Sequence, residues 1–312
     1  MTDIVTAVNA MAMEGATVIY PFYPAGVQHI IATGSTSYTG IIDQDTVLKY
    51  PHDQEGQTAL LAEAAMLSVL GSHPRIIGLK GWSGEGIRLE YACNGPLDEY
   101  LGKITGLAPL QDRFRWIRQA AEAVAYIHTK GVTHCDIRLE NLLLDRNFDI
   151  KLCDFQGIYR APNGQILEGF SCESIKYFFP RPNPLHADQK TDIFALGTAI
   201  YQIMQGHEPY PQLDSQRDRE EITSLYRAGH FPSDLGVEFG GEVVMACWNA
   251  EYDSADQVVD ALAKLEAAVE SQVTTWECST RRNSLAPLLV SFIRTQSINY
   301  SHNRLQVSSE RV

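Results

Sequence analysis

The chain has 312 residues, of which 45% are hydrophobic and 20% are charged, a composition typical of a globular protein with a sizeable core. Its formal net charge of −13 argues against binding to nucleic acid or to an anionic membrane, because both require a basic face. The six cysteines form no close CxxC pair, which argues against a zinc site or a disulfide framework.

Targeting signals and membrane spans are also not apparent in the sequence. No basic region precedes an apolar core at the N-terminus, so no signal peptide is expected. No apolar run approaches the ~20 residues of a membrane-spanning helix. Together with the scattered cysteines, these features predict a cytoplasmic or nuclear protein in a reducing compartment.

The first 92 residues read as an entry segment, then strands and one helix. Residues 1–26 end in two prolines and a glycine and carry no chemical motif, so they predict an N-terminal extension. Three strands follow in residues 27–50, and Gly34 lies between the first two, as in an ordinary hairpin. Two more strands end near Ala92. Between the two groups of strands, residues 57–71 predict a helix from apolar side chains at helical spacing: Leu60, Leu61, Ala64, Leu67 and Leu70.

The stretch from Thr133 to Gly157 carries the strongest chemical pattern. Asp136 and Asn141 are five residues apart, and Asp154 follows an apolar strand that a hairpin turn joins to the strand before it. Each of these residues alone fits ordinary turn chemistry, because Asp and Asn are common in turns. Their joint order, with His134 ahead of them, is much rarer by chance.

This stretch resembles the catalytic loop and the metal-binding strand of protein kinases, where H-R-D-L-x-x-x-N precedes D-F-G. The resemblance implies that Asp136 is the base or hydroxyl positioner and that Arg138 carries a positive charge near the γ-phosphate. It also implies that Asn141 and Asp154 hold Mg²⁺, an ion that prefers oxygen donors. The expected chemistry is therefore phosphoryl transfer, with ATP and Mg²⁺ as cofactors.

The same resemblance implies a nucleotide site in the first 92 residues. Lys49, which alone would be only an edge charge, pairs with Glu63 in the kinase template and neutralises the α- and β-phosphates. Gly34 and Ile41 take the first glycine and the final valine positions of the glycine-rich loop. The backbone from Glu90 to Ala92 would hydrogen-bond the adenine. The residues expected to bind nucleotide are Gly34, Ile41, Val47, Lys49, Glu90, Ala92 and Leu143.

The resemblance implies an α+β fold with two lobes, a small antiparallel-sheet lobe and a larger, mostly helical lobe. The small lobe would comprise residues 27–92 and the large lobe residues 93–270. Asp192, at the start of a strongly apolar helix, would brace the catalytic loop. Residues 271–312 are polar except for LAPLLVSFI, which predicts a partly disordered tail. The motifs resemble those of divergent serine/threonine kinases and are similar to the small kinases of filamentous fungi.

Several positions depart from the kinase pattern. Thr36 and Thr39 stand where two loop glycines are expected, and threonine restricts the backbone and adds bulk there. Cys135 replaces the arginine that reads an activation-loop phosphate, which predicts activity without such a phosphate. Gln156 replaces the glycine of D-F-G.

Arg181 is a further departure, since kinases have a glutamate there that pairs with an arginine late in the large lobe. Alignment of the later segment places Tyr252 at the arginine position. We therefore expect Arg181 to stack on Tyr252 or to pair with Glu251 or Asp253, unless it points to solvent.

More than one class of function remains open from the sequence. The first is an active kinase that phosphorylates serine or threonine of a protein substrate, and the second is a pseudokinase that binds ATP or serves as a scaffold. Small-molecule phosphotransferases share the H-x-D-x-x-x-x-N loop, but they lack the activation segment and the Asp192 helix, so they come second among enzymes. The sequence names neither the protein substrate nor the oligomeric state.

Overall fold

A computed structural model of the protein describes residues 23–169 and 171–280. Most of the predicted extension, and the tail from residue 281 onward, lie outside the described residues. The last described helix runs to Thr280, past residue 270, where the large lobe was predicted to end.

The small lobe is a five-stranded antiparallel sheet. Its strands are β1 (His29–Thr33), β2 (Ser37–Asp43), β3 (Thr46–Pro51), β4 (Leu79–Ser83) and β5 (Gly86–Glu90). Their spatial order is β1-β2-β3-β5-β4. Lys49 of β3 lies opposite Thr39 on one side and Ile87 on the other, at the centre of the sheet. This central position explains why the lysine is largely buried.

One helix, α1 (Gln54–Leu70), packs against this sheet. It is rich in Ala, Leu and Glu, which are strong helix formers. The helix begins where the Asp53 carboxylate accepts a hydrogen bond from the Gly56 amide, at 3.0 Å. It ends at Gly71, whose φ of 66° suits glycine. Leu61, which the sequence placed in the apolar stripe, is 45% exposed on the outer side of the helix.

The large lobe is mostly helical and carries two small three-stranded sheets. Its strands are β6 (Gly95–Pro96), β7 (Val132–Thr133), β8 (Leu142–Leu144), β9 (Ile150–Leu152), β10 (Ile158–Arg160) and β11 (Ile166–Glu168). One sheet has the order β6-β8-β9 and the other the order β7-β10-β11. Its helices are α2 (Leu97–Lys103), α3 (Leu110–Thr129), α4 (Gln189–Gln205), α5 (Arg219–Arg227), α6 (Gly241–Trp248) and α7 (Ala255–Thr280).

The core of the large lobe forms around α3 and α4. The apolar side of α3 is buried, and this helix packs on α4 and α7. Helix α4 is buried on nearly all sides, and Gly197 lets α6 approach so closely that a Cβ there would lie 2.5 Å from the Cβ of Cys247. Trp248 Nε1 donates to Thr198 Oγ1 at 2.9 Å across the same contact. The predicted α+β fold with an antiparallel-sheet lobe and a helical lobe is confirmed.

None of the helices in the described part of the chain is both long enough and apolar enough to span a lipid bilayer.

Candidate active site

The first turn of α4 anchors the loop between β7 and β8 through hydrogen bonds to the loop backbone. Asp192 Oδ2 accepts from the His134 amide at 2.7 Å, and Asp192 Oδ1 accepts from the Cys135 amide at 2.9 Å. His128 Nε2 lies 2.9 Å from Asp192 Oδ2. Because Asp192 is buried and uses both oxygens, it fixes the backbone of the loop just before Asp136.

Asp136 lies in the cleft between the lobes, with two partners from its own loop. Asn141 Nδ2 donates to the Asp136 carbonyl at 2.8 Å and to its carboxylate Oδ2 at 2.9 Å. Arg138 Nε lies 3.2 Å from the same Oδ2. Burial raises the pKa of Asp136 above its usual value, although Arg138 acts in the opposite direction. A carboxylate with a raised pKa and fixed partners is suited to accept a proton.

Asp154 follows β9 with a left-handed backbone, at a φ of 65°. Its position is set by the strand before it, since the Cys153 amide donates to the Asn141 carbonyl at 3.0 Å. Its Oδ1 accepts from Lys49 Nζ at 2.6 Å and from Gln156 Nε2 at 3.2 Å. Burial acts to raise the pKa of Asp154, but Lys49 outweighs it, so the pKa lies below its usual value.

Lys49 joins the two lobes at this point. Its Nζ lies 2.7 Å from Glu63 Oε2 in α1 and 2.6 Å from Asp154 Oδ1 in the large lobe. Burial alone would lower the pKa of Lys49, but these two carboxylates raise it well above its usual value. Burial raises the pKa of Glu63, which Lys49 and the Gln156 amide oppose. The structure therefore brings together the Lys49 and Glu63 that the sequence paired, and adds Asp154 to them.

The donor set at this point fits Mg²⁺. Among the described residues, no three His, Cys, Asp or Glu side chains are grouped as a metal cage. Magnesium usually takes only one or two carboxylates and completes its shell with water and substrate phosphates. Asp154 offers such a carboxylate, and Asn141 uses its amide nitrogen on Asp136, which leaves the side-chain oxygen for a metal. The Cys153–Asn141 backbone hydrogen bond joins the two chain segments that carry these side chains.

The residues expected to bind nucleotide lie on strands and turns of both lobes. Gly34 turns the chain between β1 and β2, with its amide bonded to the Ser37 carbonyl at 2.8 Å. Ile41 and Val47 face each other across β2 and β3. Leu143 is half-buried on β8 in the large lobe.

The segment after β5 connects the lobes, as expected for Glu90 and Ala92. Glu90 Oε2 accepts from the Gly78 amide and from Lys151 Nζ, both at 3.1 Å. The Glu90 side chain therefore connects the two lobes, and the Glu90 backbone amide donates to the Gly78 carbonyl at 2.8 Å. Sequence reasoning missed the contacts of Lys151 and of the Gln156 amide, because Lys151 belongs to no motif and Gln156 replaces a glycine, which has no side chain.

The segment that follows Asp154 leaves no room for a side chain at Gly157. A Cβ there would lie 2.1 Å from the Thr133 carbonyl oxygen and 2.4 Å from that of His134. Gly157→Ala should therefore push the catalytic loop away and lower the free energy of unfolding by about 3 kcal/mol in urea titrations. Gly102→Ala, in open space on α2, is the control and should change stability by no more than about 1 kcal/mol. A Gly157→Ala variant as stable as the parent would contradict this packing.

Arg181 does not make the contact predicted for it. Its Nη2 lies 3.0 Å from Glu173 Oε2, and its guanidinium stacks on the Phe178 ring at 4.5 Å. Asp253, one of the partners expected for it, is bound instead by Lys190 Nζ at 2.8 Å. The prediction that Arg181 reaches residues 251–253 was wrong, because a nearer carboxylate within its own segment is buried beside it.

Comparison with known proteins agrees with this site. Residues 45–266 match the family model for the protein kinase domain. The curated relatives include the "Fatty acyl-CoA synthetase and RNA processing-associated kinase 1" of Saccharomyces cerevisiae, 34% identical over 163 residues, covering 50% of this chain and 19% of that protein. They also include human "NUAK family SNF1-like kinase 1", 32% identical over 192 residues, covering 58% of this chain and 28% of that protein.

A third relative is "Aurora kinase A-B" of Xenopus laevis, 34% identical over 159 residues, covering 49% of this chain and 38% of that protein. The matches therefore span less than half the length of each of these relatives. The family match covers well over half of the chain and includes Lys49, Glu63, Asp136, Asn141 and Asp154. The chain is a member of the protein kinase family.

Proposed function

We propose that this chain is an active, ATP-dependent kinase that transfers the γ-phosphate to serine or threonine hydroxyls of a protein substrate. The observation that carries the proposal is the position of Lys49, bound at once to Glu63 of the small lobe and Asp154 of the large lobe. A kinase needs this lysine and the metal-binding aspartate in place together. The acidic balance of the chain is compatible with basic peptides as substrates.

In this mechanism the chain positions the reactants and supplies charge. The Lys49 ammonium binds α- and β-phosphate oxygens, and the Glu63 carboxylate keeps it directed into the cleft. Asp136 accepts the hydrogen bond of the substrate hydroxyl and takes its proton, while Arg138 offsets the charge of the phosphate. Asn141 and Asp154 would hold Mg²⁺, which, when bound, neutralises charge on the phosphate oxygens.

The preference for serine and threonine rests on the residues after Asp136. Leu139 and Glu140 echo the serine/threonine pattern and depart from the arginine-bearing loop of tyrosine kinases. Ser174, near the end of the activation segment, falls where serine/threonine kinases have a threonine. It begins the short 3-10 turn Ile175–Tyr177, which packs on α4.

A pseudokinase is the second candidate, and two features favour it. Asp154 Oδ1 is engaged by both Lys49 and the Gln156 amide, and a metal would have to compete with them for that oxygen. Thr36 and Thr39 also replace glycines whose flexibility would bring backbone amides to the phosphates. Both features weaken nucleotide binding without removing a reacting group.

Phosphate transfer from Mg·ATP to a generic basic protein decides between the two. Wild-type protein should label serine or threonine, and Asp136→Asn should reduce kcat by roughly 10²–10⁴-fold, the usual contribution of a general base. Mg·ATP binding should stay within about twofold in that variant, because Asp136 is not among the nucleotide ligands. Equal labelling by both proteins would point to a contaminating kinase, and labelling by neither, with ATP bound, would favour the pseudokinase.

A further inference from the structure

The residue before Asp136 cannot bind a phosphate in this chain. Cys135 is buried at a φ of 66° and carries no positive charge. The charged groups that act on it are Asp192, Glu173, Arg160 and Arg181. Two of these, Glu173 and Arg181, come from the segment between β11 and α4. This segment therefore supplies one acidic and one basic group of the four.

Glu173 and Arg181 form an ion pair that is closed to solvent. Glu173 Oε2 lies 3.0 Å from Arg181 Nη2, and the two side chains are 5% and 9% exposed. Arg181 also donates to the Phe179 carbonyl at 3.0 Å and to the Pro184 carbonyl at 2.7 Å. One arginine thus fixes both ends of the stretch from residue 173 to residue 184.

Side chains and backbone groups of the chain itself hold the rest of the segment. Strand β10 pairs with β7 next to the catalytic loop, and Arg160 donates to the Ala187 carbonyl at 2.7 Å. Lys176 is buried, with its Nζ 3.1 Å from Glu208 Oε2. The Tyr226 hydroxyl donates to the Lys176 carbonyl at 2.8 Å.

We propose that the Glu173–Arg181 ion pair positions the substrate-facing segment, residues 171–181, so that the kinase is active without phosphorylation of that segment. Glu173 supplies the anion and Arg181 the cation, so both partners are permanently present in the chain. They are positioning residues, because neither touches the reacting groups. A buried pair of this kind loses its geometry when one partner is neutralised, since the other charge is left without compensation. The inference rests on the proposed kinase function only where activity is the readout.

The first test is removal of any phosphate. Wild-type protein treated with a phosphatase, and shown by mass spectrometry to carry no phosphate, should keep its kcat/KM for a basic protein within about twofold. A tenfold loss would overturn the proposal, because another residue would then be reading a phosphate.

The second test breaks and rebuilds the pair. Glu173→Gln and Arg181→Gln should each speed amide hydrogen exchange in residues 171–181 at least tenfold and lower kcat/KM for the protein substrate at least tenfold. Mg·ATP binding should stay within about twofold, because Lys49 and Asp154 are untouched. Reversal of the pair, Glu173→Arg with Arg181→Glu, should restore most of the protection and most of the activity.

The control is Asp253→Asn, which breaks the ion pair with Lys190, where the aspartate side chain is 84% exposed. It should leave exchange in residues 171–181 and kcat/KM unchanged. If a single variant unfolds as a whole, the reversed pair decides, and a reversed pair as impaired as the singles overturns the proposal. Hydrogen exchange tests the pair even if no transfer is detected, so the failure of the kinase assignment is recognised separately.

Discussion

Asp154→Asn is expected to reduce kcat by roughly 10³-fold, equivalent to about 4 kcal/mol of transition-state stabilisation. The carboxylate is the acidic member of the proposed Mg²⁺ pair with Asn141, and its pKa lies below the usual value, so it is ionised at neutral pH. An amide in its place keeps the shape but loses the charge that Mg²⁺ requires. It also weakens the contact with Lys49 Nζ, which lies at 2.6 Å in the parent protein.

The measurement is a Mg²⁺ titration of both nucleotide binding and transfer. Calorimetry with ADP should show binding that strengthens with Mg²⁺ in the parent and becomes nearly independent of Mg²⁺ in Asp154→Asn. Asp145→Asn is the matched control, because its carboxylate binds only the amides of Asn147 and Asp149 in the turn of the same hairpin. Asparagine suits such a turn, so this variant should behave as the parent. Parental Mg²⁺ dependence in Asp154→Asn would remove Asp154 from the metal site.

Residues that belong to an ordered motif could be placed from the sequence. Lys49 and Glu63 were paired from a separation of fourteen residues, and the structure brings them within 2.7 Å, since strand and helix geometry leave few alternatives. Asp136 and Asn141 share one short loop, so their proximity also follows from local spacing.

Partners of residues that depart from the family pattern could not be placed in this way. Gln156 binds Asp154 through an amide, and amide side chains bind so many kinds of partner that spacing predicts none of them. Arg181 was assigned a distant partner because the family pattern has one, whereas Glu173 lies only eight residues away and is buried beside it. When a substitution reverses the charge at a position, the side chain pairs with a different counter-ion. Only the packing of the folded chain shows which residue that counter-ion is.

Lys49→Met is expected to abolish measurable transfer and to lower the free energy of unfolding by about 3 kcal/mol. The substitution keeps much of the volume but leaves Glu63, which is 0% exposed, as an uncompensated charge in the core. Burial already raises the pKa of Glu63, and loss of Lys49 removes the main group that opposes this. The matched control is Lys103→Met, from the exposed pair with Glu99 on α2, where the cost should stay below about 0.5 kcal/mol.

The double variant Lys49→Met with Glu63→Leu separates stability from activity. Replacing both members of a buried ion pair by apolar residues is often neutral, so the double variant should regain most of the roughly 3 kcal/mol in urea titrations. Activity should not return, because no cation is left to bind the phosphates. If the double variant loses as much stability as the two single variants together, Lys49 and Glu63 are not coupled in solution. Recovery of transfer in the double variant would show that Lys49 acts through the fold and does not contact the nucleotide. Recovery of stability without transfer is the expected pattern, since the same ammonium both neutralises Glu63 and faces the metal-binding carboxylate of Asp154.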